Sequence, residues 1–181
     1  MKSVPWWQQL AEHLLAEPLP RRWAHTQGVG RKAETIAHIV GDEADLLIAS
    51  AWLHDIGYAP KLVATGFHPL DGARFLRDTE HADLRVCSLV AYHSCAHIEA
   101  RNRSLGGELA AEFEPVEGLL ADALIYCDMT TTPDGEPVNV EKRLSEILTR
   151  YGPTDVVAES ITEATSHIVD SARRVETLLV R

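Results

Sequence analysis

Hydrophobic residues recur at every third or fourth position along most of the chain, a spacing that places them on one face of an α-helix. Trp6, Leu10 and Leu14 follow this spacing near the start, and Val29 and Ala33 repeat it further along. No two segments alternate polar and apolar residues on either side of a hairpin turn, as paired β-strands would. The pattern therefore predicts an all-α protein, an irregular helical bundle in which each helix buries one face.

Prolines, glycines and polar segments divide the periodic stretches into separate helices. Pro5 suits the first turn of the first helix, and Pro18 and Pro20 are expected to end that helix. Further helices are predicted over residues 23–40, 43–56, from His68 onward, 82–97, 114–128, 140–150 and 155–180. Loops are predicted over residues 59–67, 101–107 and 130–137.

The composition is ordinary for one globular domain, with 45% hydrophobic and 24% charged residues among 181. The formal net charge of -10 disfavours nucleic acid polymers and anionic membranes as partners, because both attract positive charge. The three cysteines form no CxxC pair, and the first residues lack the apolar region of a signal peptide. No apolar stretch is long enough to span a bilayer. We therefore expect a cytoplasmic protein without membrane or nucleic acid partners, and the sequence does not indicate its oligomeric state.

A histidine and an aspartate end one of the most apolar helical segments. His54 and Asp55 lie in the sequence AWLHDIG. Burying a charged carboxylate costs free energy unless a partner compensates it, and a divalent cation bound to imidazole and carboxylate would do so. An isolated His-Asp pair is more often structural, with the aspartate capping a helix and the histidine buried in the core.

Four further polar residues make a shared site the better interpretation of this pair. His25 lies near the start of the preceding predicted helix, and His68 opens the following one. His93 and Asp128 each lie four residues after a leucine, so each shares a helix face with core residues. Polar groups that point into one core from separate helices indicate a common buried partner.

The ordered pattern H, HD, H, H, D, with the phrases HDIG, HPLDGA and YH around it, resembles the HD superfamily of metal-dependent phosphohydrolases. The resemblance implies one HD-type helical domain over residues 1–181, with an N-terminal helix in 1–20, a metal-site core in 21–129 and C-terminal helices in 130–181. In size and ligand order the chain is similar to the bacterial symmetrical hydrolases of diadenosine tetraphosphate, which are of the two-metal type.

The resemblance also implies the ligands of two divalent metal ions. His25, His54, Asp55 and Asp128 would hold the first ion, and His68 and His93 would hold the second, with Asp55 bridging the two. Iron or manganese is favoured, while cobalt, nickel and zinc also suit histidine and carboxylate ligands.

The implied activity is that of an enzyme in which metal-activated water cleaves a phosphoester or phosphoanhydride of a small nucleotide-like substrate. Asp55 and His54 would be its catalytic residues. Four cationic residues are candidates for binding the substrate phosphate: Arg21, Arg22, Lys61 and Arg74. Arg21 and Arg22 belong to a basic stretch that includes Arg31 and Lys32, and each charge of that stretch is also explained by a solvated helix surface.

Several alternatives stay open at this point. Tyr58 stands where some HD relatives carry lysine or glutamate, which leaves the acid that protonates the leaving group unassigned. His97, four residues after His93, could replace or join it as a ligand, and the loop 130–137 could be a lid or a connector. A few HD-fold enzymes use the same six ligands as di-iron oxygenases acting on small organic substrates. The second alternative is a non-catalytic, nucleotide-binding regulatory module.

Overall fold

The computed structural model describes residues 5–180, and their regular structure is helical. The α-helices are α1 (Trp6–Leu15), α2 (Pro20–Ile36), α3 (Ala44–Leu53), α4 (His68–Asp78), α5 (Leu84–Tyr92), α6 (Ala96–Asn102), α7 (Gly106–Glu112), α8 (Leu119–Met129), α9 (Val140–Tyr151) and α10 (Val156–Leu179). Within the described residues the extended pairing is limited to one isolated bridge between Thr131 and Pro137. The predicted all-α fold is confirmed.

Prolines and glycines set the boundaries of the first helices, although not always as predicted. Pro20 is the first residue of α2 rather than the end of α1, because proline lacks the N–H that the first helical turn leaves unbonded. The second helix ends at Ile36, earlier than predicted, and a 3₁₀ segment continues from Ala37 to Glu43. Gly41 has a φ of 57° within this segment, a backbone conformation that glycine adopts without steric cost.

The continuous helix predicted over residues 82–97 is wrong, because the chain breaks directly after α5. Ser94 and Cys95 have φ values of 49° and 64°, and α6 starts afresh from Ala96. Such left-handed conformations are costly for residues with a Cβ atom and are found where a site requires them. His97 is exposed on α6. The interruption therefore separates His93, which faces the interior, from His97, which does not join it.

The prediction was also wrong between α6 and α8. The expected loop over residues 101–107 contains the end of α6 and the start of α7, and the helix predicted from residue 114 begins at Leu119 instead. Gly118, with a φ of 85°, precedes that helix. Short helices such as α6 and α7 carry too few apolar positions for their period to be read from the sequence alone.

Three groups of buried apolar side chains hold the helices of residues 5–180 together. The first joins α1, α3, α4, α5, α6 and α7, the second joins α2, α3, α5, α8 and α10, and the third joins α6, α8, α9 and α10. Because α3 and α8 each belong to two groups, their carboxyl ends are fixed within the interior. No helix in the described part of the chain is both long and apolar enough to cross a membrane.

Candidate metal centre

Two of the candidate ligands occupy the same position at the carboxyl ends of different helices. His54 directly follows α3, and His93 directly follows α5. Their Nδ1 atoms lie 2.8 Å from the Ala51 carbonyl and 2.7 Å from the Val90 carbonyl, which the last helical turn leaves free. Because a carbonyl only accepts, each Nδ1 donates to its carbonyl, which leaves Nε2 as the ring atom able to coordinate a metal ion.

His25 and Asp128 face this pair from α2 and α8. The His25 Nδ1 lies 3.0 Å from the Thr132 carbonyl, and its Nε2 lies 3.0 Å from Asp128 Oδ1. The hydroxyl of Ser94 donates to the other oxygen of Asp128. Ligand atoms of His25, His54 and Asp128 all lie within 4.8 Å of one another, so this first triad is able to hold a metal ion.

Asp55 lies between that triad and a second one formed with His68 and His93. Its Oδ1 is 3.3 Å from His68 Nε2 and 3.9 Å from His93 Nε2. Its Oδ2 is 3.3 Å from His54 Nε2 and 3.8 Å from His25 Nε2. The two carboxylate oxygens therefore face different triads, and Asp55, His68 and His93 form a second group whose ligand atoms lie within 4.8 Å.

The electrostatics hold most of these groups in the form that binds metal. Burial alone would raise the pKa of Asp55, but Arg22 and His54 keep it well below its ordinary value. The pKa of Asp128 is likewise lowered, against its burial, by hydrogen bonding from His25 and by the charge of His54. Burial lowers the pKa of His68 to about 4, so this imidazole is neutral at neutral pH.

His54 shows most directly that the cluster fits a cation. Its Nε2 is fully buried and forms no well-aligned hydrogen bond within residues 5–180, although Asp55 Oδ2 lies 3.3 Å away. Burial opposes a charge on this ring, yet Asp55 and Asp128 raise its pKa, which means that the site favours positive charge at this point. An orphaned nitrogen beside two carboxylates fits a divalent metal, which would satisfy all three groups.

Arg22 and Tyr58 form a layer against the second triad. The Arg22 Nη1 donates to Asp55 Oδ2 at 2.7 Å, and its guanidinium lies 4.0 Å from the centre of the Tyr58 ring. The opposite face of Tyr58 stacks on His68, with ring centres 3.9 Å apart and planes 18° apart. Tyr58 therefore fixes the orientation of both a ligand and the arginine that neutralises the neighbouring carboxylate.

Replacing Tyr58 tests this role. Tyr58→Ala removes the ring that His68 stacks on, so we expect the apparent Mn²⁺ affinity to fall about tenfold, as for other supports of metal ligands. Tyr58→Phe keeps the ring and should retain the affinity of the wild type. The measurement is calorimetric titration of metal-free protein, and equal affinities for Tyr58→Ala and Tyr58→Phe would contradict the role.

The other cationic residues predicted at the site lie at different distances from it. Arg21 pairs with Asp134 at 2.8 Å in an exposed ion pair near the edge of the site. Lys61 is exposed, and its Nζ lies 3.1 Å from His13 Nε2. Arg22 alone among the four predicted residues contacts the metal-ligand cluster in the described structure.

Arg74 points away from the cluster because it is held by two carboxylates of α7. Its guanidinium forms ion pairs with Glu108 and Glu112. Lys32 is also used structurally, since its Nζ donates to the carbonyl and hydroxyl of Thr130 after α8. The sequence could not assign these partners, because they come from helices distant along the chain.

The loop over residues 130–137 packs closely against α2 and supports the site. A Cβ atom on Gly28 of α2 would lie 2.5 Å from the Gly135 carbonyl, and one on Gly135 would meet the Ala24 carbonyl. Only glycines permit so close an approach. The loop thereby brings the Thr132 carbonyl to His25.

A cavity extends from the second triad toward the C-terminal helices. Its floor includes Asp55, His68, His93 and Asp128, and its wall includes residues of α9 and α10: Arg143, Ile147, Arg150, Tyr151, Val157 and Ile161. The sequence interpretation missed Arg143 and Arg150. A signal was available, because Arg143 interrupts the apolar stripe of a strongly amphipathic helix.

A family model described as HD domain matches residues 22–129, more than half of the chain. The chain belongs to the HD domain family. The predicted membership of the HD superfamily of metal-dependent phosphohydrolases is therefore confirmed, and the matched range contains all six predicted ligands. Comparison with curated proteins and with solved structures gives no match. Helices α9 and α10 lie beyond the matched range.

Proposed function

We propose that this HD domain protein is a two-metal phosphohydrolase that cleaves a phosphoester or phosphoanhydride of a nucleotide-like substrate. One observation carries the proposal: Asp55 directs its two oxygens toward two adjacent His-containing triads. The first ion would be held by His25, His54, Asp128 and Asp55, and the second by Asp55, His68 and His93. The similarity in size and ligand order to symmetrical diadenosine tetraphosphate hydrolases supports a nucleotide substrate.

Two divalent ions bound there would lower the pKa of a coordinated water and stabilise negative charge on phosphoryl oxygens. Side chains of the protein would bind and orient the phosphoryl group. Arg22 lines the cavity beside Asp55 and is placed to receive a phosphoryl oxygen. The Ser94 hydroxyl donates to Asp128, a residue of the first triad, and would orient that carboxylate. Water activated by the two ions would be the nucleophile.

The wall of the cavity fits a substrate that is partly apolar. Met129, Ile147, Val157 and Ile161 line it together with the ring of Tyr151. Binding cavities for small organic molecules combine such apolar walls with a few polar groups that set orientation. A nucleoside is a group of this kind, with an aromatic base that stacks on a tyrosine ring.

The test is phosphate release from a panel of nucleoside mono-, di- and triphosphates and dinucleoside polyphosphates. Protein freed of metal would be supplied with Mn²⁺ or Fe²⁺, in air and under argon. We expect turnover that requires metal and is indifferent to oxygen. Turnover of organic substrates that consumes oxygen would instead establish the di-iron oxygenase. Nucleotide binding without turnover under any metal would establish the regulatory module.

A further inference from the structure

Helix α9 carries an arginine at a position where its pattern requires an apolar residue. Val140, Leu144 and Ile147 form the buried stripe of this helix, and Arg143 lies within it with 5% of its surface exposed. A buried guanidinium costs free energy unless its donors are satisfied. Arg150, seven residues later, lies on the same face and lines the same cavity.

The contacts of these two arginines leave part of their hydrogen-bonding capacity unused. The Arg143 Nη1 pairs with Glu146, but its buried Nε has no hydrogen-bond partner among residues 5–180. The Arg150 Nε lies 3.4 Å from the other oxygen of the same carboxylate. One carboxylate thus serves two guanidinium groups, and a positive charge remains at the cavity wall.

The arginines of α9 also connect the cavity above the second triad to an adjoining one. Arg22, Arg143 and Arg150 line both cavities, and the adjoining cavity reaches His25 and the segment from Pro18 to Pro20. Arg21 is the fourth arginine of that lining, which includes no carboxylate among the described residues. Three carboxylates, Asp134, Asp55 and Glu146, pair with these four arginines, which leaves one positive charge in excess beside the cavities.

We propose that Arg143 and Arg150 form a subsite for a second phosphoryl group of the substrate, next to the one cleaved at the metal-ligand cluster. The inference rests on the proposed function and narrows it to substrates with two phosphoryl groups, such as phosphoanhydrides, over simple monoesters. The planar donor fork of arginine matches phosphate oxygens. A phosphate there would accept from the guanidinium groups of Arg143 and Arg150 that line the cavity, and it would offset the charge that Glu146 leaves unbalanced.

The test compares two probes that cannot be hydrolysed at a P–O–P bond, methylenediphosphonate and methylphosphonate, by calorimetry at one fixed free Mn²⁺ concentration. We expect the wild type to bind the diphosphonate at least about tenfold more tightly, and Arg143→Met to lose about tenfold to a hundredfold for the diphosphonate alone. Methionine suits an apolar stripe, and the partly exposed Glu146 keeps Arg150 as a partner when Arg143 is replaced. Circular dichroism checks that the variant folds.

Two further variants sharpen the comparison. Arg143→Lys keeps the charge but loses the fork, so its preference for the diphosphonate should be intermediate. Arg173→Met removes an exposed partner of Glu141 outside both cavities and should bind both probes as the wild type does. The subsite is overturned if the wild type shows no preference for the diphosphonate. It is also overturned if folded Arg143→Met keeps the full preference, because chelation of the metal by the two phosphonate groups would then explain the preference.

Binding is measured without turnover, so the subsite and the proposed hydrolysis can fail separately. Loss of the diphosphonate preference in Arg143→Met supports the subsite even if the nucleotide panel releases no phosphate. Hydrolysis of the panel together with an unchanged preference in Arg143→Met supports the function and removes the subsite.

Discussion

Asp55→Asn is expected to reduce turnover by about a thousandfold or more and to lower the metal content of the purified protein. The substitution keeps the size of the side chain but removes its charge. Because each Asp55 oxygen faces a different triad, both predicted metal positions lose a charged ligand at once. The substitution also leaves the partly buried Arg22 without its carboxylate partner.

Elemental analysis of the metal-reconstituted protein, together with kinetics on the substrate that the panel identifies, measures both effects. Asp78→Asn is the matched control, since Asp78 is exposed at the end of α4 and pairs only with the neighbouring Arg77 among the described residues. It should retain both metal and turnover. An Asp55→Asn protein that keeps two ions per chain and more than about a tenth of the activity would contradict the bridging role.

Gly57→Ala is expected to lower the free energy of unfolding by about 3 kcal/mol or more, one of the largest effects of any single methyl group in this chain. A Cβ atom on Gly57 would collide with the backbone carbonyl of His68 and lie 2.7 Å from the Gly72 nitrogen. Backbone atoms at the start of α4 cannot move away as a flexible side chain would. The collision also displaces His68, so metal affinity should fall together with stability.

Thermal unfolding measures the effect of Gly57→Ala, and a decrease in Tm of about 6–12 °C is expected for a chain of this size. Gly107→Ala is the matched control. Gly107 lies in α7 with open space where its Cβ would be, so alanine should leave Tm unchanged or raise it slightly. A Gly57→Ala protein as stable as the wild type would show that α3 and α4 can separate without cost.

The close contact between Gly57 and the start of α4 gives the glycine of the sequence HDIG a structural role. His54 and Asp55 supply ligands, and Gly57 lets the turn after α3 touch the start of α4, which carries His68. These three residues lie within four consecutive positions, so a short segment of the sequence is enough to identify them. The pattern predicted six ligands in order, and the structure places all six within two adjacent groups.

The sequence could not show which cationic side chains lie close to the carboxylates of the site. Arg22 and Lys61 were equally plausible phosphate contacts from the sequence, yet one reaches Asp55 and the other lies beside His13 at the surface. Arg143 was not considered, although it lies in an apolar stripe. Side-chain partners from distant helices depend on packing, which the hydrophobic period does not specify.

The sequence by itself determined the helical fold class, the main helices and the identity of the candidate ligands. Hydrophobic periodicity, the prolines and glycines that separate helices, and residue chemistry are all local properties of the chain. Tertiary structure alone decided the break at His93, the two-sided position of Asp55 and the arrival of α9 at the cavity. The break after α5 depends on a contact between residues that are distant along the chain. Left-handed backbone at Ser94 and Cys95 is locally unfavourable, and it occurs where the Ser94 hydroxyl meets Asp128 from a helix more than thirty residues away.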